Sequence, residues 1–183
     1  CIQFCLATLS HPAGFGLMDG EYAVTLDQTT GDNDAAWTGY LNFFVRDLGA
    51  GLLGFSPLGG NGNGDGATCN VSAFSSISCD GNTINASFDL GRTMVHEIGH
   101  YLLLEHPWGG GGCASTDDVA DTPITDGPQF GCPALGMVSC TAPVLWMSYM
   151  DYCDDACLYM FSAGQVDRMD GYVNANLQNM LNT

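Results

Sequence analysis

Lysine is absent from this sequence. Three arginines face twenty acidic residues, which leaves a net charge of −17 at pH 7 over 183 residues. Nucleic acid and anionic membranes are bound through cationic patches, so neither partner fits this chain. Acidity on this scale suits a soluble surface in salty surroundings, or one that draws in cations and basic peptides. Long apolar runs are missing too. The longest, such as "YLLLEH" and "VLWMSYM", fall far short of a membrane span. No signal peptide is visible, so the chain reads most simply as a mature, processed, secreted form. Glutamate is confined to Glu21, Glu97 and Glu105, and only four histidines occur.

Apolar residues make up 46% of the chain, ample for a buried core. The length suits one domain, 1–183, or two small lobes sharing a cleft. Nine cysteines are spread along it without a paired Cys-x-x-Cys knuckle, which reads as disulfides formed outside a reducing cytosol. Strands are expected in the opening "CIQFCLA", in "GYLNFFVRDL" (39–48) and over Cys69–Phe74, and a glycine-rich loop at 57–66. A helical pattern runs from Asp89 to about Leu102. The Gly-, Pro- and Asp-rich stretch after His106 buries little of its own surface and needs bridges to hold it. The chain closes on a helix: Ser162 and Gln165 form a capping box, and Val166, Met169, Val173, Leu177 and Met180 share a stripe.

Three of the four histidines fall within "HEIGHYLLLEH" (96–106). On a helix, His96 and His100 lie one turn apart on one face, where both rings reach a single divalent ion. Glu97 beside them can act as a base without being a ligand. No glutamate follows Glu105, so none on a later helix can complete the site, and His106 is the candidate third ligand. A continuing helix would point His106 away, so the helix must break after about Leu102; Pro107 and Gly109–Gly112 help the chain leave it.

"HEIGHYLLLEH" resembles the long zinc signature of metzincin endopeptidases, and "SYMDY" (148–152) resembles their Met-turn. More narrowly, "LGRTMVHEIGH", "DDVADTP", "GCP" and "YMDYCDDACLYMFSAGQVDRM" resemble the pappalysin-like, or cytophagalysin, secreted metalloproteases, over nearly the whole chain. The resemblance implies an α+β, metzincin-like fold. Its upper lobe (1–106) carries a mixed twisted sheet and the zinc helix. Its lower lobe (107–183) is irregular and disulfide-stapled, and carries the Met-turn and C-terminal helix. It implies a zinc endopeptidase in which Zn²⁺, held by His96, His100 and His106, activates a water, with Glu97 as general base and then acid. Tyr152 stabilises the oxyanion, and Met150 forms an apolar floor. It implies calcium at Asp117 and Thr122, with carbonyls near Gly111 and Ala120. It pairs Cys113 with Cys140 and Cys132 with Cys157. Cys69–Cys79, across a turn, is a further bridge the family does not require; Cys1, Cys5 and Cys153 remain. Protein or peptide substrates and a monomer are expected. The family's first strand and backing helix have no counterpart before Cys1, which points to an incomplete sequence.

Two positions depart from the family pattern. Leu103 stands where the signature has glycine, at a cost of roughly 1–2 kcal/mol if it takes the same positive φ. Ala156 stands where relatives that cleave at basic residues carry an acid, although Asp154 and Asp155 are close by. "NGNGDG" (61–66) resembles half a calcium loop without its closing glutamate, and His11 reads as a surface residue. Two rival readings stay open: a catalytically silent, calcium-stabilised binding domain on the same scaffold, and a zinc hydrolase of small amides.

Overall fold

The computed structural model describes residue 4, residues 35–76 and residues 83–181. The expected opening strand, His11, Cys1, Cys5 and Cys79 lie outside them.

The central sheet is mixed. Strands β1 (Asn42–Arg46), β2 (Gly54–Phe55) and β3 (Gly66–Asn70) lie in the order β1-β3-β2. β1 runs parallel to β3 and β2 antiparallel to it, so Cys69 sits between Val45 and Gly54. β3, "GATCN", is buried along its whole length. Its small side chains let a helix lie close: Ala67, Cys69 and Ala73 pack with Met94, Leu53, Phe88 and Ile98. At Gly66 a Cβ would run into the Asn42 backbone, so only glycine lets β1 and β3 meet there.

Sequence pattern placed this strand at Cys69–Phe74, three residues late at its start and four at its end. The chain leaves the sheet at Asn70, whose side-chain oxygen accepts from the Ser72 N–H and starts a 3₁₀ turn over Val71–Ala73. The Asn70 amide donates to the carbonyls of Gly49 and Leu52, fixing the approach to β2. Side-chain capping has overridden strand propensity here. Of the expected Cys69–Cys79 pair, Cys79 lies outside the described residues, and Cys69 is a free thiol within β3, fully buried under the helix. Burial pushes that thiol up to about 12.

Helix α1 spans Arg92–Tyr101. It begins three residues later than the pattern suggested, because Gly91 has a left-handed φ of 74° and offers no side-chain cap. The cap comes from elsewhere: Asp155 Oδ2 accepts from the N–H groups of Leu90 and Arg92, 65 and 63 residues away. A carboxylate at this end also complements the helix dipole. Helix α2, Ala163–Asn176, has the expected capping box, with Ser162 Oγ accepting from Gln165 N–H and Gln165 Oε1 from Ser162 N–H. Its stripe is only partly buried. Met169 and Leu177 join the core and Val173 and Met180 pack against it, but Val166 stays 38% exposed. The helix also stops before Leu177, where Asn174 and Asn176 amides have turned back onto carbonyls of the preceding turn.

α1, the Met150 segment and α2 share one core of Tyr101, Leu102, Leu104, Met150, Met169 and Leu177. The stretch between His106 and Ser148 is largely irregular, apart from the small hairpin of β4 (Val138–Ser139) and β5 (Ala142–Pro143). Disulfides join Cys113 to Cys140 and Cys132 to Cys157, closing loops of 27 and 25 residues over a segment with little burial of its own. Cys153 is a free, buried thiol packed with Val144, Trp146 and Leu158.

The half calcium loop turns out to be a structural knot. The Asp65 carboxylate accepts from Asn61 N–H (2.8 Å), Gly62 N–H (3.0 Å) and the Tyr101 hydroxyl (2.7 Å). Three protein donors satisfy it, and it ties the glycine-rich loop to the end of α1. Asp65→Ala should therefore cost at least about 2 kcal/mol, because it strands buried donors. Urea unfolding measures this; a loss below about 0.5 kcal/mol would contradict the assignment.

Candidate metal centre

The site is set by how α1 ends. Leu103 N–H bonds to His100 O and Leu104 N–H to Gly99 O, both at 2.9 Å. These two bonds are the Schellman pattern, which requires a left-handed residue at position 103. Leu103 takes that conformation, with φ at 71°. The turn is not reshaped to suit the leucine; the leucine is held in a glycine-type turn. The chain reverses, and His106 swings back toward α1.

Three imidazoles then meet. The Nε2 atoms of His96 and His100 lie 3.0 Å apart, those of His100 and His106 3.0 Å, and those of His96 and His106 3.2 Å. His96 Nδ1 donates to the Tyr149 carbonyl and His100 Nδ1 to the Leu104 carbonyl, each at 2.7 Å. A carbonyl only accepts, so both Nδ1 atoms carry the proton and both Nε2 atoms present lone pairs to the same point. Burial lowers all three rings; neighbouring rings add to this for His96, pushed down to about 3, and for His106, pushed down to about 4. Neutral lone pairs this close repel unless a cation sits among them. Nitrogens about 2.0–2.1 Å from one tetrahedral Zn²⁺ lie about 3.3 Å apart, so the observed spacing fits zinc.

The surroundings fix the rings. Met150 is fully buried beneath α1, and a methyl on Gly99 would strike its Sδ. Ser148 Oγ accepts from Met150 N–H and donates to Gln165 Oε1, so the α2 capping box also anchors this turn. Trp108 stacks on His106 with centroids 4.5 Å apart and planes 6° from parallel. Glu97 is buried on the β2 side, and burial pushes its carboxyl up to about 8. A Cβ at Gly54 would lie 2.8 Å from Glu97 Oε1, so glycine on β2 gives that carboxylate its place. Tyr152 stands with its ring 5.6 Å from that of His96 and 5.0 Å from that of His106, and remains 39% exposed. A cavity of about 370 Å³ opens beside the triad, walled by Ser56, Leu58, His100, Glu105, His106 and Gly109.

Sequence reasoning brought together the triad, Glu97, Met150 and Tyr152, but missed Trp108, Gly54 and Asp155. A glycine inside the apolar "LLGF" was the available signal for Gly54; nothing local marked the other two. Asp154 and Asp155 bond to the segment that leads into α1. Asp154 Oδ2 accepts from Ser87 Oγ and Asp155 Oδ2 caps α1. In the acidic loop, Asp117 and Thr122 do meet. Thr122 Oγ lies 2.7 and 2.8 Å from the two Asp117 oxygens and 2.7 Å from Val119 O. One hydroxyl proton cannot serve three acceptors. Gly111 O accepts from Ser115 Oγ, and Ala120 is exposed.

A buried carboxylate beside three converging histidines, on a helix that ends in a left-handed turn, defines a metallopeptidase-type centre. The family model described as pregnancy-associated plasma protein-A matches residues 32–174, and the chain belongs to that family, the pappalysins. It is similar to an extracellular metalloprotease of Colletotrichum graminicola, 35% identical over 144 residues, covering 74% of this chain and 50% of the relative. Extracellular metalloprotease 1 of Coccidioides posadasii is 37% identical over 136 residues, covering 69% and 46%. The chain thus spans about half the length of these relatives. Mature mirolysin of Tannerella forsythia, solved with a cleaved peptide, superposes with a TM-score of 0.66 at 36% identity, covering 79% of this chain and 57% of that one. A promirolysin variant gives 0.69 at 31% identity, covering 90% and 61%. The α+β metzincin architecture follows from these matches.

Asp151 supplies a pH test. Its Oδ1 accepts from Gln129 and Tyr152 N–H, while its buried Oδ2 has no hydrogen-bond partner. Burial pushes its carboxyl up to about 6. A carboxyl raised in the fold contributes stability below its unfolded pKa of about 3.9 and loses it as pH rises through the folded value. Asp151→Asn should therefore gain on wild type by about 2 kcal/mol between pH 4 and pH 7. Denaturant unfolding at both pH values checks this, and a gap that narrows over the interval would contradict it.

Proposed function

We propose that this chain is the catalytic domain, over residues 1–183, of a secreted zinc endopeptidase acting on proteins or peptides. The observation that carries the reading is the convergence of three unprotonated Nε2 atoms beside the buried Glu97 carboxylate. The extracellular relatives and the oxidised cysteine pairs support secretion. His96, His100 and His106 would hold zinc, whose Lewis acidity polarises a carbonyl oxygen and lowers the pKa of water.

The chain's own groups supply the rest. A cation held by the triad would favour the ionised form of Glu97 over its buried neutral form, and Glu97 then takes the proton of the attacking water and later delivers it to the departing amine nitrogen. Its burial keeps competing solvent away from that transfer. Tyr152, standing over the rings of His96 and His106, donates its hydroxyl to the oxyanion of the tetrahedral intermediate. The cavity walled by Leu58, Glu105 and Gly109 accommodates a substrate side chain next to the scissile bond. A monomer suffices, since the site is built from one chain.

A denatured proteome digested with the protein, its products mapped by mass spectrometry, tests this beside Glu97→Ala. Removing a general base should lower turnover by about 10²–10⁴-fold, and a chelator should abolish it. Internal peptide cleavage separates the reading from a small-amide hydrolase. No cleavage above the Glu97→Ala control would overturn it.

We also propose calcium at the Asp117–Thr122 cluster, where acceptor oxygens outnumber hydrogens. Calcium at about a hundred times its Kd should add about 2.7 kcal/mol to stability, an effect that Asp117→Asn removes. Thermal unfolding with and without calcium reads this; a midpoint that does not move would refute calcium binding.

A further inference from the structure

We propose that Arg168 is a positioning residue for His106, acting through the backbone of Leu103. Leu103 occupies a left-handed conformation that costs a leucine more than a glycine, and that conformation is what turns His106 back toward His96 and His100. Something outside the turn must therefore favour it. Arg168 rises from the middle of α2, next to the core residue Met169. Its Nε donates to the Leu103 carbonyl at 2.8 Å, and its Nη1 to the Asp117 carbonyl at 3.1 Å. A guanidinium is planar and rigid, so two carbonyls held by one fork are fixed relative to each other.

The pair of carbonyls is informative. Leu103 opens the turn into His106, and Asp117 opens the acidic cluster with Thr122. One side chain from α2 thus ties the third histidine's approach to the oxygen-rich loop. Against glycine at 103 the turn would need no such support, since glycine adopts positive φ freely. The dependence of the triad on Arg168 is accordingly conditional: strong with Leu103, weak with glycine there. A side chain that merely adds general stability would show no such condition.

This inference rests on the reading of the triad as a metal site. The test is a double-mutant cycle on the full chain, with Co²⁺ as the probe. Affinity is read by chelator competition and coordination by the visible d–d spectrum, without reference to activity. Arg168→Gln should weaken Co²⁺ binding about tenfold or more and alter the spectrum, as loss of an outer partner of a metal ligand does. In the Leu103→Gly background the same change should cost less than about threefold. Equal losses in both backgrounds, or no loss with Leu103 present, would overturn the proposal. If Arg168→Gln folds in neither background by near-ultraviolet circular dichroism, Arg168→Lys completes the same cycle, since it keeps the charge but not the fork. Wild type that binds no Co²⁺ would instead sink the metal reading itself.

Discussion

Three imidazole lone pairs cannot be brought within about 3 Å of one another without a reason, because each neutral ring repels the next. In this chain the convergence is imposed by backbone geometry. α1 sets His96 and His100 on one face, and the carbonyls of Tyr149 and Leu104 hold their far nitrogens. The third ring arrives only because the helix ends in a Schellman turn. That turn depends on one left-handed residue. With leucine there the conformation is disfavoured locally, so packing and the hydrogen bond from Arg168 of α2 must offset it.

Much of the remaining structure braces that geometry. The small residues of β3 let α1 lie against the sheet, and the Asp65–Tyr101 bond ties the helix end to the glycine-rich loop. Met150 fills the floor, held by Ser148 and, through it, by Gln165 of the α2 capping box. The acidic composition is also partly internal. Asp65, Asp117, Asp151 and Asp155 are all nearly buried, and Asp65, Asp151 and Asp155 organise backbone N–H groups. Their work is to order loops that bury too little apolar surface to order themselves.

What could be read beforehand followed from local rules. Helical spacing paired His96 with His100, and the requirement that His106 return forced a break after Leu102. The Ser162–Gln165 box located the start of α2. The cost at Leu103 was also legible, though not whether the turn would keep its shape. What escaped was non-local or competitive. Asp155 caps α1 from more than sixty residues away, which explains why α1 starts at Arg92 with no cap of its own. Asn70 ended β3 early because its side chain offered the backbone an alternative. Cys69, paired on spacing alone with Cys79, sits in a strand interior that only the three-dimensional packing reveals. Asp154 and Asp155 lie close to Ala156 in sequence, and hydrogen bonds draw both toward residues 87–92.

The central claim is that residues 96, 100 and 106 surround one ion despite a leucine in the turn. X-ray absorption at the zinc K-edge of the zinc-loaded protein tests it most directly. The account expects one zinc per chain, with three imidazole nitrogens at about 2.0–2.1 Å and the remaining position filled by oxygen. Two imidazoles, a sulfur neighbour from Cys69 or Cys153, or a chain that retains no zinc would contradict it.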